Sequence, residues 1–230
     1  MAERRNKIMT ITGDTKMKIG IMGGTFDPIH IGHLLLGEFA YEDFGLDEIW
    51  FLPNGNPPHK KTANTEEALH HRIEMVKTAI ADTPHFRLNL YETESAEHSY
   101  TYSTLKEFRR RYPENEFYFI LGADSLFSIE EWKCFEEIFP NCVILAAMRD
   151  DKDAGSMREQ IAYLERTYNA RIRLLQAPLV EISSTALRRR AERDLSVRYM
   201  VPDGVAQYIR EHRLYKRAKG EVGVYDRTIS

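Results

Sequence analysis

From residue 17 almost to the C-terminus, short apolar β-rich runs alternate with stretches of helical periodicity. This alternation restricts the chain to an α/β architecture built on a parallel sheet. The strand candidates are Met17 to Met22, Glu48 to Leu52, Phe86 to Leu90, Glu116 to Leu121, Cys142 to Ala147 and Arg171 to Leu175. Several are apolar at consecutive positions, as central strands covered on both faces are. Helices are expected at His33 to Phe44, Glu66 to Ala81, Thr101 to Arg111, Ile129 to Phe139, Gly155 to Tyr168, Ser184 to Arg193 and Gly204 to His212. The pattern reads as a doubly wound, Rossmann-like sheet, whose ligands bind beyond the carboxyl ends of the strands.

With 230 residues, 43% apolar and 29% charged, the composition is that of a globular protein able to bury a sizeable core. We expect a single domain over residues 17–215, with flexible tails at 1–16 and 216–230, which are polar and unpatterned. No window approaches the ~18–20 consecutive apolar residues of a membrane span, and residues 1–16 lack the apolar stretch of a signal peptide. A cytoplasmic protein with no membrane partner is therefore expected. The 32 Lys+Arg and 35 Asp+Glu leave a net charge of −3, and without a basic stripe nucleic acid is not an expected partner. Cys134 and Cys142 form no CxxC pair and have no histidine cluster beside them, so they read as buried thiols; no metal-ligating set is apparent.

Two strings carry chemistry. The first, Gly23-Gly24-Thr25-Phe26-Asp27-Pro28-Ile29-His30-Ile31-Gly32-His33, follows the first strand and opens the first helix. Adjacent glycines let backbone approach a bulky anion, and the helix start directs N–H groups and partial positive charge at it. His30 and His33, three apart, can face one ligand. Imidazole donates to phosphate oxygens in either protonation state. Taken singly, the glycines read as a tight turn and each histidine as a satisfied surface residue or a metal ligand; the string as a whole reads as an anion site. Neither GxGxxG nor GxxxxGK[ST] is present, which disfavours a dinucleotide-dependent dehydrogenase and a P-loop kinase.

The second string, Ile182-Ser183-Ser184-Thr185-Ala186-Leu187-Arg188, follows the last strand. Its hydroxyls can cap a helix or hold phosphate oxygens, with Arg188 about one turn along. A right-handed parallel sheet brings both strings to its carboxyl edge, where they can share one polyphosphate.

Together GGTFDPIHIGH and ISSTALR resemble the paired signature of the HxGH-class nucleotidyltransferases. Asn56-Pro57-Pro58-His59-Lys60, His98-Ser99-Tyr100-Thr101, Gly122-Ala123-Asp124-Ser125-Leu126 with Trp132, and the ending Val201-Pro202 to Leu214-Tyr215 are similar to bacterial nicotinate mononucleotide adenylyltransferases, over about residues 17 to 215. The resemblance implies transfer of AMP from ATP to nicotinate mononucleotide, giving deamido-NAD and pyrophosphate, with Mg²⁺ accompanying the ATP. It implies that His30, His33 and Arg188 carry the catalysis. Gly23, Gly24, Thr25, Phe26, Lys60, Gly122, Asp124, Ser183 and Ser184 would hold ATP and its phosphates. Trp132 would stack on the nicotinate ring, and Thr101 with backbone groups near Trp132 and Lys133 would receive its carboxylate.

Relatives are often homo-oligomers, and Tyr163 and Tyr168 read as exposed aromatics compatible with an interface. Two departures from the family stand out: Ser103 where an acidic residue is usual, and Arg149-Asp150-Asp151 in place of an Arg-Pro-Gly turn. The alternatives are a sister enzyme using nicotinamide mononucleotide or phosphopantetheine, a fragment of a class I tRNA synthetase, which would share His30-Ile31-Gly32-His33 but here lacks a KMSKS-like segment, and a non-catalytic nucleotide sensor.

Overall fold

The computed structural model describes residues 16–55, 65–94, 100–148, 154–178 and 180–216. Six strands, β1 (Lys18–Gly24), β2 (Glu48–Pro53), β3 (Phe86–Leu88), β4 (Glu116–Gly122), β5 (Val143–Ala147) and β6 (Ile172–Leu175), form one sheet in the order β3-β2-β1-β4-β5-β6. Every neighbouring pair is parallel. The chain leaves β1 toward β2 and β3, then returns to add β4, β5 and β6 on the other side. The reversal of strand order therefore falls between β1 and β4, where open α/β sheets form their ligand crevice. The expected doubly wound, Rossmann-like architecture is observed.

Consecutive apolar residues in a strand have two cores to fill. Ile19 and Ile21 of β1 join Trp50 and Leu52 of β2 in one cluster, while Met22, Ile49 and Phe51 belong to the other. The second of these faces is covered by α1 (Ile31–Phe44), α2 (Glu66–Ile80), α6 (Ser184–Glu192) and α7 (Asp203–Glu211). The first is covered by α3 (Thr101–Arg111), α4 (Ala123–Phe127) and α5 (Ala154–Tyr168). Double coverage is why the strands read as unbroken apolar runs rather than alternating ones.

One expected helix is absent. Over Ile129 to Phe139 the chain makes single 3₁₀ turns at Ile129–Glu131 and Phe135–Glu137, followed by another at Phe139–Asn141. Between the first two, Trp132 is extended (φ −78°, ψ 144°) and Cys134 is left-handed (φ 50°). Ile129, Phe135, Ile138 and Phe139 gave the stretch a helical look, but they serve the core beneath β4 and β5, and such tertiary demands override weak local periodicity. The short α4 just before it lay unread in Ala123–Phe127.

Cys142 is buried and its thiol is pushed up to about 12 by that burial. Cys134, expected to be buried, is exposed because the left-handed turn carries it outward. Tyr168 is likewise not a free surface aromatic: it is half-buried against Phe135 and Phe139, whereas Tyr163 is exposed. No helix among the described residues is long and apolar enough to cross a membrane. The expectations for the two tails fall on residues outside the described ones, apart from Lys16 and Lys216 at their inner ends.

Candidate active site

The turn after β1 is held from below by an aromatic. Phe26 adopts a left-handed backbone (φ 49°) with its ring buried. The ring meets Phe51 at 5.9 Å and His33 edge-on at 5.1 Å. A bulky residue keeps such a conformation only where packing over-determines it. His30 caps α1 in extended geometry and His33 lies one turn on. Their rings stack at 3.7 Å. The His30 N–H donates to His33 Nδ1 at 3.2 Å, which leaves the His33 ring proton on Nε2, available to a ligand. A Cβ on Gly32 would stand 3.2 Å from the His30 ring, so glycine is what lets the imidazole lie flat across the helix start.

Burial lowers His30 to about 4 and His33 to about 3, with His30 adding to the effect on His33. Both are neutral donors at pH 7. Since the unfolded chain takes up these protons near pH 6.5 while the folded one resists, stability is full above pH 6.5 and declines as pH falls toward 4. Urea midpoints measured across that window should fall less steeply for His33→Gln than for the parent chain; parallel slopes would contradict the buried, neutral state.

The start of α6 is clasped to this turn. Ser183 accepts from the Ala186 N–H at 3.1 Å as an N-cap. The Ser184 hydroxyl donates to the Pro28 carbonyl at 3.0 Å. Arg188 donates through Nη1 to the Asp27 carbonyl at 2.7 Å and through Nη2 to Thr185 Oγ1 at 3.2 Å. The two strings singled out in the sequence are thus in direct contact beside His30.

On the other side of β1 lies a cavity of about 110 Å³ lined by Gly23, Asn54, Glu92, Thr101, Phe119 and Trp132, among others. Trp132 is half-buried, edge-on to Phe119 at 6.3 Å. Thr101 begins α3, and Lys133 is exposed, with its ammonium 4.2 Å from the Tyr100 ring centre. Thr104 donates to Glu92 Oε1 at 2.8 Å within this buried region, and burial pushes the Glu92 carboxyl up to about 7. Gly23 belongs to both the glycine-histidine string and the cavity wall, so the two adjoin. Gly122 and Asp124 stand exposed at the end of β4 and the first turn of α4.

A cytidylyltransferase-like family model matches residues 21–190. A probable nicotinate-nucleotide adenylyltransferase of Lachnoclostridium phytofermentans is 45% identical over 198 residues, which span 86% of this chain and 98% of the relative. That of Moorella thermoacetica is 38% identical over 91% of this chain and 96% of its own. The chain belongs to the nicotinate-nucleotide adenylyltransferase family. In fold, this family member is similar to a Plasmodium falciparum nicotinic acid mononucleotide adenylyltransferase complexed with NaAD, at a TM-score of 0.70 and 23% identity, covering 86% of this chain and 97% of that one.

Among the expected site residues of the family member, His30, His33, Ser183, Ser184 and Arg188 gather at the turn after β1, and Thr101 and Trp132 at the cavity. Lys60 with the Asn56 to Lys60 motif, His98, Ser99 and the Arg149-Asp150-Asp151 departure lie outside the described residues. The other departure, Ser103, is exposed on α3, while its neighbour Thr104 reaches the cavity; the substitution leaves the cavity wall untouched.

The sequence reading gave no role to several residues that hold the site together. Arg72 of α2 is 1% exposed and donates to the Thr25 carbonyl at 2.8 Å and the Asn54 carbonyl at 2.8 Å, tying the loops after β1 and β2 together. Its signal was readable: an arginine interrupting the apolar stripe of Ala68, Met75, Val76 and Ile80. Gly55 fits this junction because a Cβ there would lie 2.2 Å from the Glu92 carbonyl oxygen. Asp27 and Tyr215 stand in two of the quoted motifs, but nothing local foretold that they join at 2.7 Å.

Proposed function

We propose that the chain transfers AMP from ATP to nicotinate mononucleotide, giving deamido-NAD and pyrophosphate in NAD biosynthesis. The observation that carries this reading is the continuity, through Gly23, of a phosphate turn clasped by Ser184 and Arg188 with a cavity walled by Trp132 and Thr101. The 5′-phosphate of the mononucleotide attacks the ATP α-phosphorus in line as the bond to the bridging oxygen breaks and pyrophosphate leaves. The attacking oxygen is already anionic, so positioning and charge stabilisation dominate over proton abstraction.

In this reading His33 Nε2–H and His30 donate to phosphate oxygens, and a bound polyphosphate raises both ring pKa values. Arg188 and the amide groups that open α6 hold the leaving side. Gly23, Gly24, Thr25 and Phe26 offer backbone to the phosphates, Lys60 contributes its positive charge, and Asp124 with Gly122 receives the adenosine ribose. Trp132 stacks on the pyridine ring, while Thr101 and the backbone at Lys133 receive its carboxylate.

The donor set here is imidazole, guanidinium, hydroxyl and amide, which suits polyphosphate oxygens rather than a bare cation. Mg²⁺ entering with ATP would be held by the phosphates and water, supplying neutralisation of the charge that builds on them.

The test is pyrophosphate release with ATP and Mg²⁺, comparing nicotinate mononucleotide, nicotinamide mononucleotide and phosphopantetheine. Preference for the first supports the reading; preference for another acceptor overturns the cavity roles, and no release with any of them overturns the transfer itself. Trp132→Ala should raise KM for the mononucleotide about 5- to 100-fold, the worth of one stacked base, with a smaller effect on KM for ATP. An unchanged mononucleotide KM would remove the stacking role.

A further inference from the structure

The C-terminal Leu214-Tyr215 has no part in the chemistry above, yet Tyr215 reaches the phosphate turn. Its hydroxyl donates to Asp27 Oδ1 at 2.7 Å across 188 residues of sequence. The other carboxylate oxygen, Oδ2, stands 3.7 Å from Arg188 Nη1, too far for a hydrogen bond of ordinary strength. Arg188 instead spends Nη1 on the Asp27 backbone carbonyl. The three side chains line a cleft of about 440 Å³ together with His71, His212 and Arg213.

The loose Asp27–Arg188 pair is the informative feature. A carboxylate with both oxygens available takes a guanidinium in a two-point grip, the strongest geometry open to the pair. Such a grip would draw Arg188 back onto the turn and cancel its charge. Tyr215 anchors Oδ1 and so fixes the orientation of the carboxylate, with Oδ2 held 3.7 Å from Nη1 and outside that geometry. Burial and the adjacent Asp27 push the tyrosine hydroxyl up, so it remains a donor.

We infer that Tyr215 is a positioning residue: by engaging Asp27 it keeps the carboxylate from capturing Arg188, leaving the guanidinium available to the polyphosphate. The inference rests on the phosphate role given to Arg188 above.

The test is a double-mutant cycle on the full chain. Tyr215→Phe should lower kcat/KM for ATP about tenfold and weaken pyrophosphate binding, measured by calorimetry, by a similar factor, with KM for the mononucleotide unchanged. In the Asp27→Asn background, where no ionic grip can form, the same substitution should have less than a twofold effect. A tyrosine that served only to pack the C-terminal segment would cause equal losses in both backgrounds, which would overturn the inference, as would a Tyr215→Phe single variant with parental affinity for pyrophosphate. Retained pyrophosphate binding in an Arg188→Ala variant would instead count against the phosphate role itself, so the two failures are distinguishable. Thermal unfolding of each variant checks that all are folded at the assay temperature.

Discussion

His33→Ala should lower kcat for adenylyl transfer by about 10²- to 10³-fold, the usual cost of removing one preorganised donor to a developing charge. The ring is set in place before substrate arrives: it stacks on His30 at 3.7 Å, abuts Phe26, and has its Nδ1 occupied by the His30 N–H. Its remaining donor therefore needs no reorganisation when charge builds on the phosphates. The same preorganisation predicts that His33→Gln recovers little, because a flexible amide does not inherit the stacked geometry. The variant should fold, since the half-buried ring belongs to neither apolar core cluster. Single-turnover rates are the measurement, and a folded His33→Ala chain with parental turnover would remove the histidine from the mechanism.

The second large effect is expected on stability. Arg72→Met should destabilise the fold by about 3 kcal/mol: two charge-assisted hydrogen bonds, each worth roughly 1.5–3 kcal/mol, are lost, and relief from burying the guanidinium charge offsets part of that loss. For a chain of this size that corresponds to a fall in Tm of roughly 6–12 °C. The guanidinium joins the Thr25 and Asn54 carbonyls from beneath, so both loops at the crevice should loosen together. Arg72→Lys should lie between, because a single ammonium cannot span two carbonyls in the fixed fork of arginine. A Tm for Arg72→Met within a degree of the parent would show that water replaces the clasp at no cost.

Most strands were legible because their signal is local. A doubly covered strand such as Glu48–Pro53 is apolar throughout, and helix starts such as Thr65 followed by Glu66 and Glu67 carry their own cap, here the Ala68 N–H on Thr65 Oγ1 at 3.1 Å. The stretch from Ile129 to Phe139 misled for the opposite reason: its apolar spacing mimics a helix, while its residues turn separately into the core and leave Trp132 extended at the cavity. Arg72 was legible only as a polar residue on an apolar stripe, a pattern that says something must satisfy it without saying what.

The sequence alone determined the α/β class, the glycine and histidine turn after the first strand and the Ser/Arg string after the last, because strand runs, turn chemistry and helix starts are written in neighbouring residues. Only the tertiary structure decided how those pieces meet. Ser184 finds the Pro28 carbonyl, Arg188 the Asp27 carbonyl and Tyr215 the Asp27 carboxylate across separations of 156, 161 and 188 residues. Such pairings depend on the crossovers that order the sheet β3-β2-β1-β4-β5-β6. A donor's partner is set by which chain ends the fold brings to one crevice, and no local pattern encodes that choice.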